Sequence, residues 1–375
     1  MLPNLGLPSS PAPGDPRHWP QGITFPQAWV AIARESDPRV IALRNRSSAT
    51  AQILSSFTSV YGKPIECSLL IWRADAPARW RRDLRPLIAF RNGVAIATVL
   101  HGRAASVNGY SGGSPNFSDV FDLHPATIGG MGHMVLQSPA YLDVTGPTQQ
   151  RILTPSPYVS RHTSPFWYDH YLFDAIGTVW RRRFGQAPRH ARYADRLFRS
   201  LEVAYQACGV SARNEASLTD YGTQIALWVS ATEILAWPAQ KHASRESVLK
   251  MLADPALGPK ATRRRFRVAL KGKKKTEWRL VSGLQRACLA MYAARNDFLH
   301  GNPMGPSTLA LKRGGVSAPL PRIAELVYRA ALVAYLDSIY AKQWTTLADF
   351  DTRFLETLQD ESYDKALDEV FGVAP

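Results

Sequence analysis

A series of amphipathic segments between Ser164 and Trp344 constrains the fold more than any other feature. Apolar side chains recur there every three or four residues, which is the spacing of one face of an α-helix, and several segments end at glycine or proline. Because the connections between the segments are short, the pattern predicts an antiparallel helix bundle. The segments are residues 164–185, 191–209, 217–238, 244–254, 276–301 and 321–344.

The chain before this series has a different pattern. Residues 1–19 are rich in proline and predict a disordered lead-in without a signal peptide. Residues 20–160 predict a β-rich or α+β domain, which would bind or sense an activating signal that the sequence does not identify. The expected fold class is therefore α+β with two domains, a β-rich N-terminal domain followed by an all-α bundle at residues 165–345.

Short runs of β-forming residues support this division. Residues 40–45 and 65–72 are typical of strands. Two apolar runs flank Asn92-Gly93 within residues 87–100, which predicts a hairpin because both turn positions require a positive φ. Residues 109–119, with several glycines and serines, predict an exposed loop.

The charge distribution indicates a polyanionic partner. The chain carries a formal charge of +15 at pH 7, and its end, residues 346–375, is an acidic helix or tail. From Thr345 onwards eight acidic residues stand against two basic ones, so that this segment carries −6 and the preceding 344 residues carry +21. A body with this charge favours nucleic acid as the partner. Whether the acidic tail shields that body is an open question at this point.

Composition also argues against several classes of protein. No run of about 18 apolar residues is present, so we expect no membrane contact and a cytoplasmic location. The cysteines Cys67, Cys208 and Cys288 lack the spacing of metal ligands or of a redox pair, and we expect them to be reduced and buried. The histidines show no H-x3-H or HExxH spacing, and we expect neither a metal nor a cofactor.

The predicted helix at residues 276–301 carries the residues that indicate function. Its apolar face is interrupted by Arg295, and a guanidinium at a core position must be paired or open onto a groove. His300 follows immediately before the helix stop at Gly301 and lies on the same face as Asn296. The residues that define the apolar face are Trp278, Val281, Leu284, Cys288 and Met291.

At these residues the chain resembles the HEPN family. RNDFLH at residues 295–300 is similar to the R-x4-H signature of HEPN domains, small helical bundles that include many ribonucleases. IALWVSATEIL at residues 225–235 resembles the helix that accompanies this motif in the ApeA-like HEPN group, known from bacterial antiphage defence. The resemblance covers about residues 165–345, and ApeA-like proteins often carry a β-rich N-terminal domain.

The resemblance implies a metal-independent endoribonuclease that cleaves host or phage RNA, in antiphage defence or as a toxin. The ribose 2′-hydroxyl would attack the adjacent phosphate and leave a 2′,3′-cyclic phosphate and a 5′-hydroxyl. His300 would transfer the proton, and Arg295 would bind the developing phosphorane charge with its planar fork. The resemblance also implies a homodimer in which two motifs line one cleft.

Three further residues are candidates for the catalytic set. Asn296 would orient His300 or contact the scissile phosphate, and Asp297 would hold Arg295 or a backbone N–H in place. Glu233 is the only charged residue in its apolar segment, where an unpaired carboxylate would be costly. It either pairs with Arg295 or faces solvent on an amphipathic helix, and the sequence does not decide between the two.

A basic segment leads directly into the motif helix. Residues 260–279 contain ten lysines or arginines against one acidic residue, with aromatic side chains that can stack on bases. We expect this segment to engage RNA; the alternative is a solvated loop. The expected RNA-binding residues are Arg263, Arg264, Arg265, Arg267, Lys271, Lys273, Lys274, Lys275 and Trp278.

Two other functions are compatible with the same residues. One is a non-catalytic HEPN module that binds RNA or a nucleotide in the same cleft and releases no product. The other is a helical scaffold protein in which Arg295 interacts with the helix dipole and His300 is a simple cap.

Overall fold

The computed structural model describes the larger part of the chain, and all structural statements below concern that part. The described residues are 18–19, 22–24, 29–33, 35–46, 48–58, 68–72, 76–109, 126–128, 134–136, 150–151, 168–185, 191–210, 217–236, 244–253, 265–271, 276–313, 316–343 and 361–371. Almost all of the predicted lead-in, the predicted loop after Gly109 and the first half of the acidic tail lie outside them.

The described chain is mostly helical, with a few small sheets that are mainly antiparallel. None of its helices is long and apolar enough to cross a membrane. The helices are α1 (Pro38–Arg46), α2 (Ser48–Ser56), a 3-10 helix (Ala78–Arg82), α3 (Arg85–Val107), α4 (His170–Gly185), α5 (Ala191–Val210), α6 (Leu218–Leu235), α7 (Arg245–Met251), α8 (Gly283–Leu299), α9 (Leu320–Gln343) and α10 (Glu361–Phe371). The strands are β1 (His18–Trp19), β2 (Gly22–Thr24), β3 (Val30–Ala33), β4 (Phe57–Thr58), β5 (Leu69–Trp72), β6 (Ala126–Ile128), β7 (Met134–Leu136), β8 (Gln150–Arg151), β9 (Arg265–Lys271), β10 (Thr276–Ser282), β11 (Ala310–Arg313) and β12 (Val316–Pro319).

The chain divides into two compact units that are not simple halves of the sequence. The first unit comprises residues 1–95, 113–167 and 176–186, and the second comprises residues 96–112, 168–175 and 187–375. Helices α3 and α4 therefore each contribute residues to both units.

The first unit combines a small antiparallel sheet with the aromatic end of α4. The sheet has the strand order β1-β2-β3-β5. Trp180 of α4 is fully buried and donates a hydrogen bond from Nε1 to the carbonyl oxygen of Pro86 at 2.9 Å. The Trp29 ring meets Trp180 edge to face with 6.1 Å between the ring centroids. A Cβ at Gly185 would lie 2.6 Å from Trp29, so only glycine allows this packing.

The second unit consists of helices packed around α6, which lies against α5, α8 and α9. Trp228 of α6 and Tyr328 of α9 are fully buried, with 5.0 Å between their ring centroids. Ser200 of α5 donates a hydrogen bond to the carbonyl oxygen of Ala231 on α6 and is hydrogen-bonded to the hydroxyl of Tyr328, each at 2.8 Å. These polar contacts fix three helices around one aromatic pair.

Two ion pairs, one fully buried and one partly buried, connect α9 to the residue before α4 and to α3. Arg329 donates to Asp169 Oδ2 from Nε at 2.9 Å and from Nη2 at 2.6 Å, and both side chains are 3% exposed. Asp169 also caps the N-terminus of α4, because its Oδ1 accepts a hydrogen bond from the backbone N–H of Leu172. One turn earlier on α9, Glu325 forms a two-bond ion pair with Arg103, at 2.7 and 3.1 Å, which raises the pKa of the guanidinium.

The helix predictions for the second half of the chain are largely confirmed. Helices α5, α6, α7 and α9 lie within two or three residues of the predicted bounds, and α6 begins at Ser217 with a capping box to Asp220. Helix α4 ends at Gly185 as predicted. The predicted helix at residues 276–301 is partly wrong, because residues 276–282 form strand β10 and the helix α8 begins only at Gly283.

Two predictions of β-structure in the first half of the chain are wrong. Residues 87–100 lie within the long helix α3 rather than in a hairpin, and residues 40–45 lie in helix α1. From Asn92 to Leu100 every residue is buried, and a continuous apolar run does not by itself distinguish a buried helix from a strand. Neither Asn92 nor Gly93 adopts the positive φ that the predicted turn requires. The strand predicted at 65–72 is present in its last four residues as β5.

The buried pair of Arg329 and Asp169 makes a testable prediction about stability. We expect Arg329→Met to lower the free energy of unfolding by about 3–5 kcal/mol, because it leaves the buried Asp169 carboxylate without its cation. Adding Asp169→Asn should recover part of this loss, since the amide removes the uncompensated charge. Urea denaturation followed by circular dichroism measures both values.

Arg85→Met is the matched control for this substitution. Arg85 forms its ion pair with Asp83 at the surface and is 80% exposed, so we expect no measurable change in stability. Equal effects of Arg329→Met and Arg85→Met would contradict the role assigned to the buried pair.

Candidate functional site

Helix α8 carries the candidate site and is capped at both ends by its own sequence. At its start, the side chain of Ser282 accepts a hydrogen bond from the backbone N–H of Gln285, and the Gln285 side chain accepts one from the backbone N–H of Ser282. This reciprocal pair is a capping box. At its end, His300 is the C-cap residue and Gly301 follows with a φ of +70°. The helix therefore stops at Gly301, as the sequence predicts.

The turn after α8 is held by three hydrogen bonds. The backbone N–H of Asn302 donates to the carbonyl oxygen of Asp297 at 2.9 Å, and that of Gly301 donates to the carbonyl oxygen of Phe298 at 3.2 Å. This pair of bonds is the Schellman arrangement, which needs a left-handed residue such as Gly301. The side-chain amide of Asn302 also donates to Asp297 Oδ1 at 3.0 Å. Together these bonds fix the backbone on both sides of His300.

A cluster of three polar side chains lies between α6 and α8. Arg295 Nη1 lies 3.4 Å from Glu233 Oε1, and the hydroxyl of Tyr292 donates to the same oxygen at 2.9 Å. The side chains of Arg295 and Glu233 are 25% and 20% exposed, so the pair is shielded from most of the solvent. The ion pair that the sequence allowed is present, and the alternative of a fully solvated Glu233 is not observed.

The guanidinium of Arg295 has N–H donors that its contact with Glu233 does not use. Its Nε is buried and has no hydrogen-bond partner among the described residues. Its contact with Glu233 uses Nη1 only and is long for a charge-assisted hydrogen bond. Arg295 is thus anchored to α6 through Nη1, and because its Nε is buried, only the Nη groups of this 25% exposed side chain can meet an acceptor from solvent.

Close packing of α6 and α8 supports this cluster. A Cβ at Gly222 of α6 would lie 2.5 Å from the ring of Phe298, so the glycine lets the last turn of α8 approach α6 closely. Burial between the two helices also raises the pKa values of Tyr292 and Cys288. Burial and the Glu233 carboxylate raise the pKa of Tyr292, which remains a neutral donor to Glu233. The same two causes raise the pKa of the Cys288 thiol to about 12.

The other predicted catalytic residues lie beside this cluster rather than in it. His300 and Asn296 are exposed, and their four-residue spacing places them on one side of the helix end. Within the described chain no hydrogen bond or ion pair joins His300 to Arg295. The Asp297 carboxylate accepts a hydrogen bond from the side-chain amide of Asn302, so neither of its two predicted partners, Arg295 or a backbone N–H, is observed in the described part of the chain. A single chain thus presents the guanidinium and the imidazole at one helix end without a direct contact.

The basic segment before α8 is a two-stranded hairpin rather than a loop. Strands β9 and β10 pair antiparallel over seven residues each, with Trp278 opposite Ala269 and Leu280 opposite Arg267. Of the predicted RNA-binding residues, Arg265, Arg267 and Trp278 are exposed on one face of this hairpin. The others lie outside the described part of the chain: the side chain of Lys271, and the whole of residues Arg263, Arg264, Lys273, Lys274 and Lys275.

The hairpin and His300 lie at opposite ends of α8. The helix has 17 residues, which at 1.5 Å per residue is about 25 Å. The end of β10, where the hairpin joins the helix, is therefore separated from His300 by about this length. Within the described chain, no group of three or more histidine, cysteine, aspartate or glutamate side chains is arranged to hold a metal ion.

Two residues of the site were missed by the sequence reasoning. Tyr292 precedes Arg295 by three residues, so their shared helix face was visible in the sequence, but a tyrosine in an apolar helix is most often a core residue. Asn302 follows the helix stop, where its contact with Asp297 depends on the left-handed Gly301. A search for the Schellman pattern at the end of α8 would have indicated the constrained turn.

Comparisons of the chain with models of known protein families, with curated proteins and with solved structures find no match. The relation to HEPN proteins thus remains a resemblance in the residues of the motif and its accompanying helix.

The burial of the two described cysteines gives a prediction that tests the packing around the site. Burial raises the pKa of Cys208 and raises that of Cys288 to about 12, so almost no thiolate forms at pH 8. In a Cys67→Ser variant we expect no reaction with a thiol reagent at pH 8 in the native protein and reaction of two thiols in urea. Rapid labelling of Cys288 in the folded protein, identified by mass spectrometry, would contradict the packing of α8 on α6.

Proposed function

We propose that the chain is a metal-independent endoribonuclease of the HEPN type. The observation that carries the proposal is the end of α8, where a partly exposed guanidinium is anchored to Glu233 through Nη1 alone and a capped turn presents His300 five residues later. A phosphate held by the guanidinium and a nearby imidazole are the two components that cleavage by a ribose 2′-hydroxyl requires.

The proposed reaction needs no group beyond those of the protein and the RNA. An imidazole takes the proton of the 2′-hydroxyl, and the oxygen forms a bond to the adjacent phosphorus. Arg295 donates to the non-bridging oxygens while their charge rises. The bond from phosphorus to the 5′-oxygen then breaks, and this oxygen takes a proton from a second imidazole or from water. The products are a 2′,3′-cyclic phosphate and a 5′-hydroxyl.

The remaining residues support these two groups. Glu233, with Tyr292, orients the guanidinium from the α6 side. Asp297, through Asn302, holds the turn that carries His300. Asn296, which is exposed on the same side of the helix end as His300, would orient His300 or contact the scissile phosphate.

We propose a homodimer as the active form. His300 and Arg295 make no direct contact within one chain, and two copies of the α8 end around a twofold axis would supply two guanidinium and two imidazole groups to one cleft. The helices of the second unit would then be the HEPN bundle, and the N-terminal part would be the domain that receives the activating signal. The positive charge of the body suits RNA of the host or of a phage, in defence or as a toxin, in the cytoplasm.

A second candidate is an RNA-binding protein without nuclease activity. It is favoured by one observation, the separation of the exposed basic hairpin from His300 by the length of α8. A protein of this kind would hold RNA on the hairpin and release no product, and its Arg295 and His300 would serve only the stability of the helix end.

The direct test is cleavage of total RNA by the purified protein in EDTA. We expect the wild-type protein to cleave, and His300→Ala to reduce the rate by about 10²- to 10⁴-fold, which is the usual contribution of general acid–base catalysis. Arg295→Lys should also be impaired, because an ammonium keeps the charge and loses the fork. Arg192→Ala, which removes an exposed cation from α5, is the control and should cleave normally.

Three results distinguish the candidates. Cleavage that vanishes in EDTA, or that persists undiminished in His300→Ala, would contradict the proposal. Binding of RNA without any product would favour the second candidate.

The cluster behind Arg295 makes a separate prediction. Glu233→Gln keeps the shape of the side chain and loses its charge, so the guanidinium is less firmly oriented, and we expect a lower kcat with little change in KM. In an Arg295→Ala background the same substitution should have no further effect on kcat, because the group that it positions is gone. Thermal unfolding of each variant separates this effect from a loss of stability. Additive effects on kcat would show that Glu233 does not act through Arg295.

A further inference from the structure

The hairpin of β9 and β10 has an outer face that the fold does not use. We define the outer face as Arg265, Arg267, Ala269, Trp278 and Leu280, which the register places on one side of the two strands. Trp278 is 59% exposed and Leu280 is 65% exposed, which makes them the most exposed of the large apolar side chains in the described chain. Large apolar groups that lie adjacent and exposed mark a binding surface more often than isolated ones do.

The opposite face of the same hairpin holds it in place. Val281 is fully buried, and Arg279 forms an ion pair with Glu246 of α7 at 2.8 Å. The guanidinium of Arg286 on α8 lies over the ring of Phe266 on β9 at 4.7 Å. The hairpin is therefore fixed to α7 and α8 through one face, and Trp278 and Leu280 are exposed without being needed for that attachment.

The outer face has the chemistry of a surface for nucleic acid. The guanidinium of Arg267 lies over the Trp278 ring, 4.8 Å from the ring centroid, and Trp278 is nevertheless 59% exposed. All charged residues at the described outer-face positions of the strands are basic, since the only acid of the hairpin, Glu277, pairs with Leu270 on the opposite face. An exposed flat ring with the Arg267 guanidinium against it fits a base next to a phosphate.

We infer that this outer face binds an unpaired stretch of RNA and that it is separate from the cleavage site. A base can stack on Trp278 only when it is not stacked within a duplex, so the surface favours single strands. Because the hairpin lies about 25 Å from His300 along α8, one RNA that reaches both must span several nucleotides. This inference rests on the proposed nuclease function and extends it, since the outer face would anchor the substrate at a distance from the bond that is cleaved.

The test measures binding without cleavage, on the full chain. The probe is a fluorescein-labelled 2′-O-methyl oligouridine of about 20 nucleotides, which has no free 2′-hydroxyl, and the readout is fluorescence anisotropy. We expect Trp278→Ala to weaken binding roughly 5- to 150-fold, in line with the loss of one stacked base, and Trp278→Phe to retain most of the affinity. The logarithm of the association constant falls linearly with the logarithm of the salt concentration. Arg267→Ala should make this slope less steep by about 0.7, the value for one phosphate contact on a single strand.

Matched controls come from exposed residues elsewhere in the chain. Tyr171→Ala removes an aromatic side chain that is 46% exposed, and Arg192→Ala removes an exposed cation, and neither should alter the affinity. A blunt RNA duplex of similar length should bind more weakly than the single strand and should not distinguish Trp278→Ala from the wild-type protein.

Cleavage assays separate this inference from the proposed function. We expect Trp278→Ala to cleave a long single strand with a higher KM, and the control Arg192→Ala to cleave it with the wild-type KM. Unchanged affinity for the oligouridine in Trp278→Ala would overturn the inference even if the protein is a nuclease. Loss of dimerisation in Trp278→Ala, with RNA binding intact, would also overturn it and assign the face to a protein contact. Weakened binding in a protein that cleaves no RNA would support the anchoring surface and contradict the nuclease.

Discussion

The contact between α6 and α8 is the interaction on which the candidate site depends. A charged side chain at a core position is tolerated only when a partner and hydrogen bonds compensate for the lost solvent. Here Glu233 supplies the opposite charge and Tyr292 supplies a hydrogen bond to it, while Gly222 allows Phe298 to close the gap between the helices. Arg295 makes only one bond to the Glu233 carboxylate and leaves its Nε without a partner among the described residues. A guanidinium that served stability alone would gain from a second bond to the carboxylate. The buried pair of Arg329 and Asp169 has such a second bond.

The two ends of α8 carry side chains of different chemistry. At the start of the helix, a hairpin exposes arginines and a tryptophan. At the end, a capped turn presents His300 five residues after Arg295. In the proposed function, the first set of groups holds RNA and the second acts on its phosphates. Because the helix is rigid, it fixes the distance between them.

The sequence predicted the helices of the second half of the chain because their apolar residues recur at helical spacing and their ends carry clear caps. Ser217 and Asp220, or Gly301 after His300, can be recognised from residue type alone. The segment from Arg265 to Lys271 forms a strand, and its basic and apolar residues alternate with the period of two that is typical of one. The stripe that placed Trp278 on the helix was therefore a coincidence of spacing.

The errors elsewhere have a different physical cause. In α3 the Asn92-Gly93 pair suits a turn, yet the surrounding residues are buried on all sides, and packing outweighs the local preference of two residues. For the site, the sequence allowed the pairing of Glu233 with Arg295 but could not decide it, because the approach of α6 to α8 depends on tertiary packing. The roles of Tyr292 and Asn302 follow from the same packing and from the turn at Gly301.

The central claim is that groups at the end of α8 promote attack by the neighbouring ribose hydroxyl on an RNA phosphate. The most direct measurement is the chemistry of the ends that the protein produces, determined by mass spectrometry on a defined oligoribonucleotide. The account predicts a 2′,3′-cyclic phosphate on one fragment and a 5′-hydroxyl on the other. Fragments with a 5′-phosphate and a 3′-hydroxyl would contradict it, because they require attack by water rather than by the ribose.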